Sequence, residues 1–311
     1  TQGKVRIEGG TIHSIRTRAE SLFRIQEGSF QALRSRFSFE RTETNTTLFH
    51  IRNKASVLFE SSELKPGSGE ATMSLEARDS TLTLKNTVFH SGEGSLSAQA
   101  IRVQRGSIQL IQSEIHGSSK AYIAVGASFW NTRGEITATT FRMAARYGAQ
   151  AFQIRSSEVV LRGSLIESER TEDYLYYATL EDSSLQMVGT VFRKGDSADF
   201  TAFHLLNSKL EGEKNTLELG RGTRNSSGFV LAGKSDLLLR ANEILYPDSK
   251  GILFVLSERD TVKVEIRENR FKVEGAYREV RQGGRRVLIR SLKDLENTTT
   301  PQVRIEANRT S

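Results

Sequence analysis

The chain has 311 residues, 37% of them apolar, with 3 prolines, 25 glycines, no cysteine and a formal net charge of +7. That composition excludes disulfide frameworks, thiolate metal sites and a collagenous or wholly disordered chain. It also excludes a transmembrane helix, since no run approaches the ~18–20 apolar residues that crossing needs.

The positive balance favours acidic partners over basic ones. Lysine and arginine nevertheless alternate with glutamate along the chain, and no basic stripe is interleaved with aromatics. Nucleic acid is therefore not an expected partner. The lack of cysteine fits an oxidising, extracytoplasmic location.

Taken in order, the chain repeats itself. It opens on Val5-x-Ile7 followed by Gly10-x-Ile12, a frame of apolar-x-apolar-x-x-(small polar)-x-apolar. The frame returns as Phe30-x-Ala32 with Ser35-x-Phe37, Val57-x-Phe59 with Ser62-x-Leu64, and Leu82-x-Leu84 with Thr87-x-Phe89. Next come Ile108-x-Leu110 with Ser113-x-Ile115, and a weaker copy at Ile136 that reads as having one residue deleted. Val159-x-Leu161, Leu185-x-Met187, Leu210 and Leu237-x-Leu239 continue the series with Ser164, Thr190, Asn215 and Asn242. Val264-x-Ile266 with Asn269 follows, and after a longer gap Val303-x-Ile305 with Asn308. The small polar positions mostly step by 25–27 residues. Such a period marks a repeat architecture.

A second element recurs within each period. Leu48-Phe49-His50-Ile51, Ala151-Phe152-Gln153-Ile154, Ala202-Phe203-His204-Leu205 and Gly228-Phe229-Val230-Leu231 alternate with period two, which predicts a strand with one buried face. Polar loops of varying length, such as residues 40–47, 66–72, 91–97 and 194–199, precede these strands. Short polar turns follow them, including Arg78-Asp79, Arg105-Gly106, Glu181-Asp182-Ser183 and Arg259-Asp260. Apolar residues do not recur at helical spacing. One period offers too few inward side chains to bury alone, so neighbours must stack in parallel and align those side chains in columns. The Ser/Thr/Asn position then forms its own column, a polar ladder at a bend.

The expected fold is thus all-β: a parallel β-helix solenoid of about 11–12 coils with a ~26-residue repeat. Residues 1–311 are expected to form a single domain, with 272–300 as a longer loop and C-terminal capping region. The core of the frame is also the strand of leucine-rich repeats. In that family an apolar residue precedes the strand by three and a helical segment follows; here Asp79, Ser156 or Asp182 stands at that place and a second strand follows. Left-handed β-helices use 18-residue coils, which these steps exclude. The chain resembles the right-handed parallel β-helix, the pectin-lyase-like superfold. That resemblance implies polysaccharide lyases and hydrolases, tailspikes or adhesins, and does not choose among them.

Polysaccharide-cleaving members carry clustered carboxylates and short signatures such as Asn-Thr-Asp, Asp-Asp or Gly-His-Gly, and none occurs here. Asp79, Asp182 and Asp260 fall at the same turn and read as turn formers. His50 and His204 share a register six coils apart, too far for one metal; His90 and His116 are adjacent, with Lys65 and Arg193 read at the neighbouring coils. No metal or cofactor is expected. The outward column of the second strand reads Arg24, His50, Ser74, Arg102, Trp130, Gln153, Thr179, His204 and Val230. Trp130 between Arg102 and Gln153 is the candidate stacking platform for a sugar ring. In the loop 272–287, Tyr277 with Arg278, Arg281, Arg285 and Arg286 is a candidate anion site or end brace. The sequons at Asn45, Asn225, Asn297 and Asn308 are those expected of so Ser/Thr/Asn-rich a chain.

The expected function is a non-enzymatic, extracytoplasmic or cell-surface rod that binds a polysaccharide or a surface protein. Candidate contacts are Arg24, His50, Arg102, Trp130, Gln153, His204, Tyr277, Arg281 and Arg285. A polysaccharide-active enzyme is the alternative, and a trimeric tailspike-like fragment the third reading.

Overall fold

The computed structural model describes residues 3–17, 20–43, 45–193, 195–248, 250–257, 261–274, 276–282, 285–289, 303–306 and 309–310, with side chains described up to residue 274, Thr17 apart. Every copy of the first frame is a strand. Twelve of them, from Lys4–Glu8 to Val303–Glu306, hydrogen-bond in chain order into a twelve-stranded sheet, and the remaining strands form a second sheet of 24. No helix occurs among the described residues.

The coils stack in register. Leu82 stands opposite Val57 on one side and Ile108 on the other, and all three are buried. The copy at Ile136 needs a correction: Gly134 stands opposite both Ile108 and Val159, so no residue is missing and glycine replaces the first inward side chain.

Among the described residues, the bend after these strands has one conformation. The residue before the small polar position has φ between +48° and +66° at Gly9, Arg34, Ser61, Asn86, Gln112, Ala138, Gly163, Gly189, Lys214, Ala241 and Glu268. For the non-glycine residues this conformation costs on the order of 1–3 kcal/mol each, so it persists only where surrounding bonds enforce it. The polar ladder is that enforcement. The Ser35 N–H donates to Ser62 Oγ at 3.2 Å, Thr139 N–H to Ser164 Oγ at 3.1 Å, and Asn242 N–H to Asn269 Oδ1 at 2.8 Å. In the last coils the side chains also bond to one another, Asn215 Nδ2 to Asn242 Oδ1 and Asn242 Nδ2 to Asn269 Oδ1, both at 2.9 Å.

A second ladder runs along the other tight turn, where the sequence suggests only polar punctuation. Thr132, Ser157, Ser183 and Ser208 each donate a backbone N–H to the hydroxyl of the next coil's Ser157, Ser183, Ser208 and Ser235, at 2.9–3.2 Å. Again the preceding residues are left-handed, as at Asn131, Ser156, Asp182 and Asn207.

The core between the sheets is built from columns. Phe203, Phe229 and Phe254 stack ring on ring with centroids 5.3 and 5.5 Å apart. The long strands turn a corner, where Ala100, Gly126, Ala151, Tyr177, Ala202 and Gly228 fall out of the pairing register. Most of these are small because the corner presses on the core. Tyr177 is the exception: wholly buried, it reaches inward until its hydroxyl lies 2.9 Å from the carbonyls of both Arg193 and Glu218.

All described strand pairings are parallel except one. Ala276–Gln282 adds in parallel to Ile252–Leu256 and then folds back antiparallel onto Arg285–Ile289, with Arg281 opposite Arg286 and Gln282 opposite Arg285. A loop was the expectation for this segment; the structure has a hairpin instead. Its signal in the sequence is the Gly283-Gly284 pair between two alternating runs.

Candidate ligand-binding face

The outward column of the long strands is set by the register. It runs Arg24, His50, Glu76, Arg102, Ser128, Gln153, Thr179, His204, Val230. Two members expected from the sequence are displaced. Ser74 is fully buried, and Glu76 takes its place. Trp130 lies two residues past the column and instead shares a row with Gln104, Arg155, Glu181 and Leu206. Beyond the corner alternation has period two, so the two-residue slip at Trp130 leaves no trace in the pattern, whereas Ser74 falls at the corner itself, where alternation breaks.

Despite the slip, Trp130 and Arg102 meet diagonally across adjacent coils. The Arg102 guanidinium carbon lies 5.4 Å from the centroid of the indole, within cation–π range. Arg102 belongs to the preceding coil, and on the side of the following coils a cavity of about 270 Å³ opens beside the ring. Trp130, Gln153, Thr179 and His204 line it, with Arg155 and Glu181 at the rim joined by a 3.2 Å ion pair. Three expected contacts are thus brought around one cavity, with Arg102 bracing the ring. Arg24 and His50 lie in earlier coils and do not line it. The side chains of Tyr277, Arg281 and Arg285 lie outside the described residues.

A continuous hydrogen-bond chain stiffens this face. Arg102 Nη2 donates to Gln99 Oε1 at 2.8 Å and Gln99 Nε2 to Ser128 Oγ at 2.6 Å. Ser128 Oγ then donates to Gln153 Oε1 at 3.0 Å, Gln153 Nε2 to Gln150 Oε1 at 3.0 Å, and Gln150 Nε2 to Thr179 Oγ1 at 2.6 Å. Gln99 and Gln150 were not among the sequence candidates. Each precedes the corner, and both are almost fully buried. Burial holds the His204 imidazole below its ordinary pKa, which favours the uncharged form at neutral pH.

Three other histidines are accounted for locally. His50 faces Glu76 at 3.7 Å and receives the Arg52 Nε–H at 2.5 Å. His90 and His116 are register partners in adjacent coils, as expected, and their Nε2 atoms lie 3.2 Å from Glu63 and 3.0 Å from Glu114. The next residue along that row is Arg142, not Arg193, which stands two coils further on behind Glu167. Arg142 binds both Glu114 at 3.0 Å and Glu167 at 3.4 Å. Among the described residues no group of three or more histidines and carboxylates is placed to hold a metal ion.

The turn aspartates do turn work. Asp79 and Asp182 both have positive φ, and Asp79 accepts two 2.8 Å bonds from Arg105 of the next coil, which hold its pKa below the ordinary value. Asp260 lies outside the described residues. Of the sequons, Asn225 is exposed and donates to Asp199 at 2.7 Å; Asn45 is also exposed, and Asn297 and Asn308 lie outside the described residues. No helix among the described residues is long and apolar enough to cross a membrane. Compared with known proteins, the chain matches no family model and no curated protein.

Proposed function

We propose that the chain is an extracytoplasmic binding rod that holds a polysaccharide, or a surface protein bearing one, without cleaving it. We also propose that its coil is of the right-handed, pectin-lyase-like kind, a reading supported by two tight left-handed bends, their polar ladders and one variable connection per coil. The observation that carries the binding role is the indole of Trp130. Arg102 steadies it from one side, and a cavity edged by Gln153, Thr179 and neutral His204 opens on the other. An aromatic ring flanked by amide, hydroxyl and imidazole groups suits a sugar, whose C–H face stacks while its hydroxyls bond. The carboxylate beside the cavity, Glu181, is held by Arg155, which suits binding better than acid–base chemistry.

A glycan array tests this directly. The wild type is expected to bind a defined subset of saccharides and Trp130→Ala to lose it; a blank array, or equal binding by the variant, overturns the reading. Incubation with polygalacturonate, alginate or glycosaminoglycans is expected to release neither unsaturated products nor reducing ends. Turnover would identify an enzyme, and a compact trimer by light scattering would favour a tailspike.

A further inference from the structure

A second concavity lies on the loop side of the rod. The polar connections that lead into the long strands line a groove of about 790 Å³ that crosses six successive coils, from Ser119 to Asp248. It shares no residue with the indole cavity.

Its charges differ from those elsewhere on the surface. Arg105, Arg142, Arg155 and Arg193 each face a carboxylate on a neighbouring coil. In the groove, Arg146 and Arg170 are exposed and have no carboxylate partner among the described residues; Arg146 has only the Tyr122 ring, 5.9 Å away. A third guanidinium, Arg221, donates to the Pro247 carbonyl at 2.8 Å. Two of the acids present are engaged by backbone: Asp196 accepts the Arg221 N–H, and Asp248 accepts those of Gly222 and Lys250, at 3.0–3.3 Å. Glu172 lines the groove and has no cation partner among the described residues. The groove also contains an unsatisfied buried group. Ser197 is 4% exposed and lines the groove, and its buried hydroxyl has no hydrogen-bond partner among the described residues. Buried hydroxyls without partners are rare, and one on a residue that lines a groove points to a ligand atom.

We propose that this groove holds a linear acidic glycan lying along the rod. Coils repeat every ~4.8 Å, so cations on different coils form a line rather than a single pocket. Carboxylate or sulfate groups of the ligand pair with Arg146 and Arg170. Its hydroxyls satisfy Ser197 and donate to Glu172, which a ligand made of anions alone could not do.

Calorimetry on the full chain tests this, with heparin-type sulfated oligosaccharides, oligogalacturonates and neutral dextran oligosaccharides as separate probes. At least one acidic series is expected to bind and dextran is not; the sulfated and carboxylated arms show which acid is preferred. Arg146→Gln and Arg170→Gln are each expected to weaken binding by about tenfold, the loss of one charge-assisted contact. Ser197→Ala is expected to lower affinity without lowering the melting temperature, because it removes a hydroxyl that has no partner in the free protein. Trp130→Ala is expected to leave this binding unchanged, which separates the groove from the indole site. Absence of binding to both acidic series, equal binding of dextran, or wild-type affinity in Arg170→Gln overturns the proposal.

Discussion

His90 and His116 stack across adjacent coils, with ring centroids 5.2 Å apart and planes inclined by 24°. Burial disfavours protonation of His90 most strongly; the neighbouring His116 and Lys65 act in the same direction, and Glu63 opposes them. Its pKa therefore lies below the ordinary 6.5, as do those of His50 and His204, chiefly through burial. A histidine lowered in the folded state binds fewer protons than in the unfolded chain. Its contribution is complete above the unfolded pKa of about 6.5 and is lost as the pH falls below it. The melting temperature is expected to decline on acidification from that point, and His90→Gln to flatten part of the decline. An NMR titration of His90 with its midpoint above 6.5 would contradict the assignment.

The asparagine ladder makes Asn242 a sensitive position. Its Oδ1 accepts both the backbone N–H and the side-chain amide of Asn215, and its own amide serves Gly212 and Asn269. Asn242→Ala leaves several of these buried groups unpaired, at about 1–3 kcal/mol each for those that find no substitute. Asn242→Ser keeps one acceptor, as serines do in other coils, and is expected to fall between alanine and wild type. Urea midpoints measure the order.

Two glycines predict opposite outcomes for one substitution. A methyl group at Gly134 meets Val159 and Ile108 side chains at 3.5–3.6 Å, ordinary contact in an otherwise empty inward position. Gly134→Ala is expected to stabilise by about 0.5–1 kcal/mol. At Gly126 the same methyl approaches the Ala151 carbonyl at 2.8 Å and Met143 Sδ at 3.0 Å. Gly126→Ala is expected to destabilise by about 1–3 kcal/mol through overpacking. Thermal melts of the two variants should shift in opposite directions.

Much of the architecture was legible because one coil's needs are every coil's needs. The spacing of Leu82, Leu84, Thr87 and Phe89 recurs until all twelve strands of the first sheet are found. What escaped are features that do not disturb the period. Trp130 slipped by two residues because Phe129 mimics Phe152, while the true counterpart, Ala127, is small. Arg142 was passed over because Gly134 weakens its coil's frame. The second ladder hid behind varied turns, since Thr132, Ser157 and Ser183 resemble ordinary loop residues. The polar chain through Gln99 and Gln150 depends on a corner in the strand, which alternation does not encode. The groove that holds Arg146 and Arg170 depends on loops of unequal length.

Both ladders have a direction. The side chain at each bend serves the coil before its own: Asn242 accepts the amide hydrogen of Asn215 and donates to the carbonyl of Gly212, and Ser157 accepts the amide hydrogen of Thr132. A coil is therefore completed only when its successor is laid down. A chain emerging from its N-terminus always ends in a coil with amide hydrogens still to be matched, and the next ~26 residues of synthesis carry the matching oxygens. Synthesis from the N-terminus thus delivers each bend before the side chain that completes it.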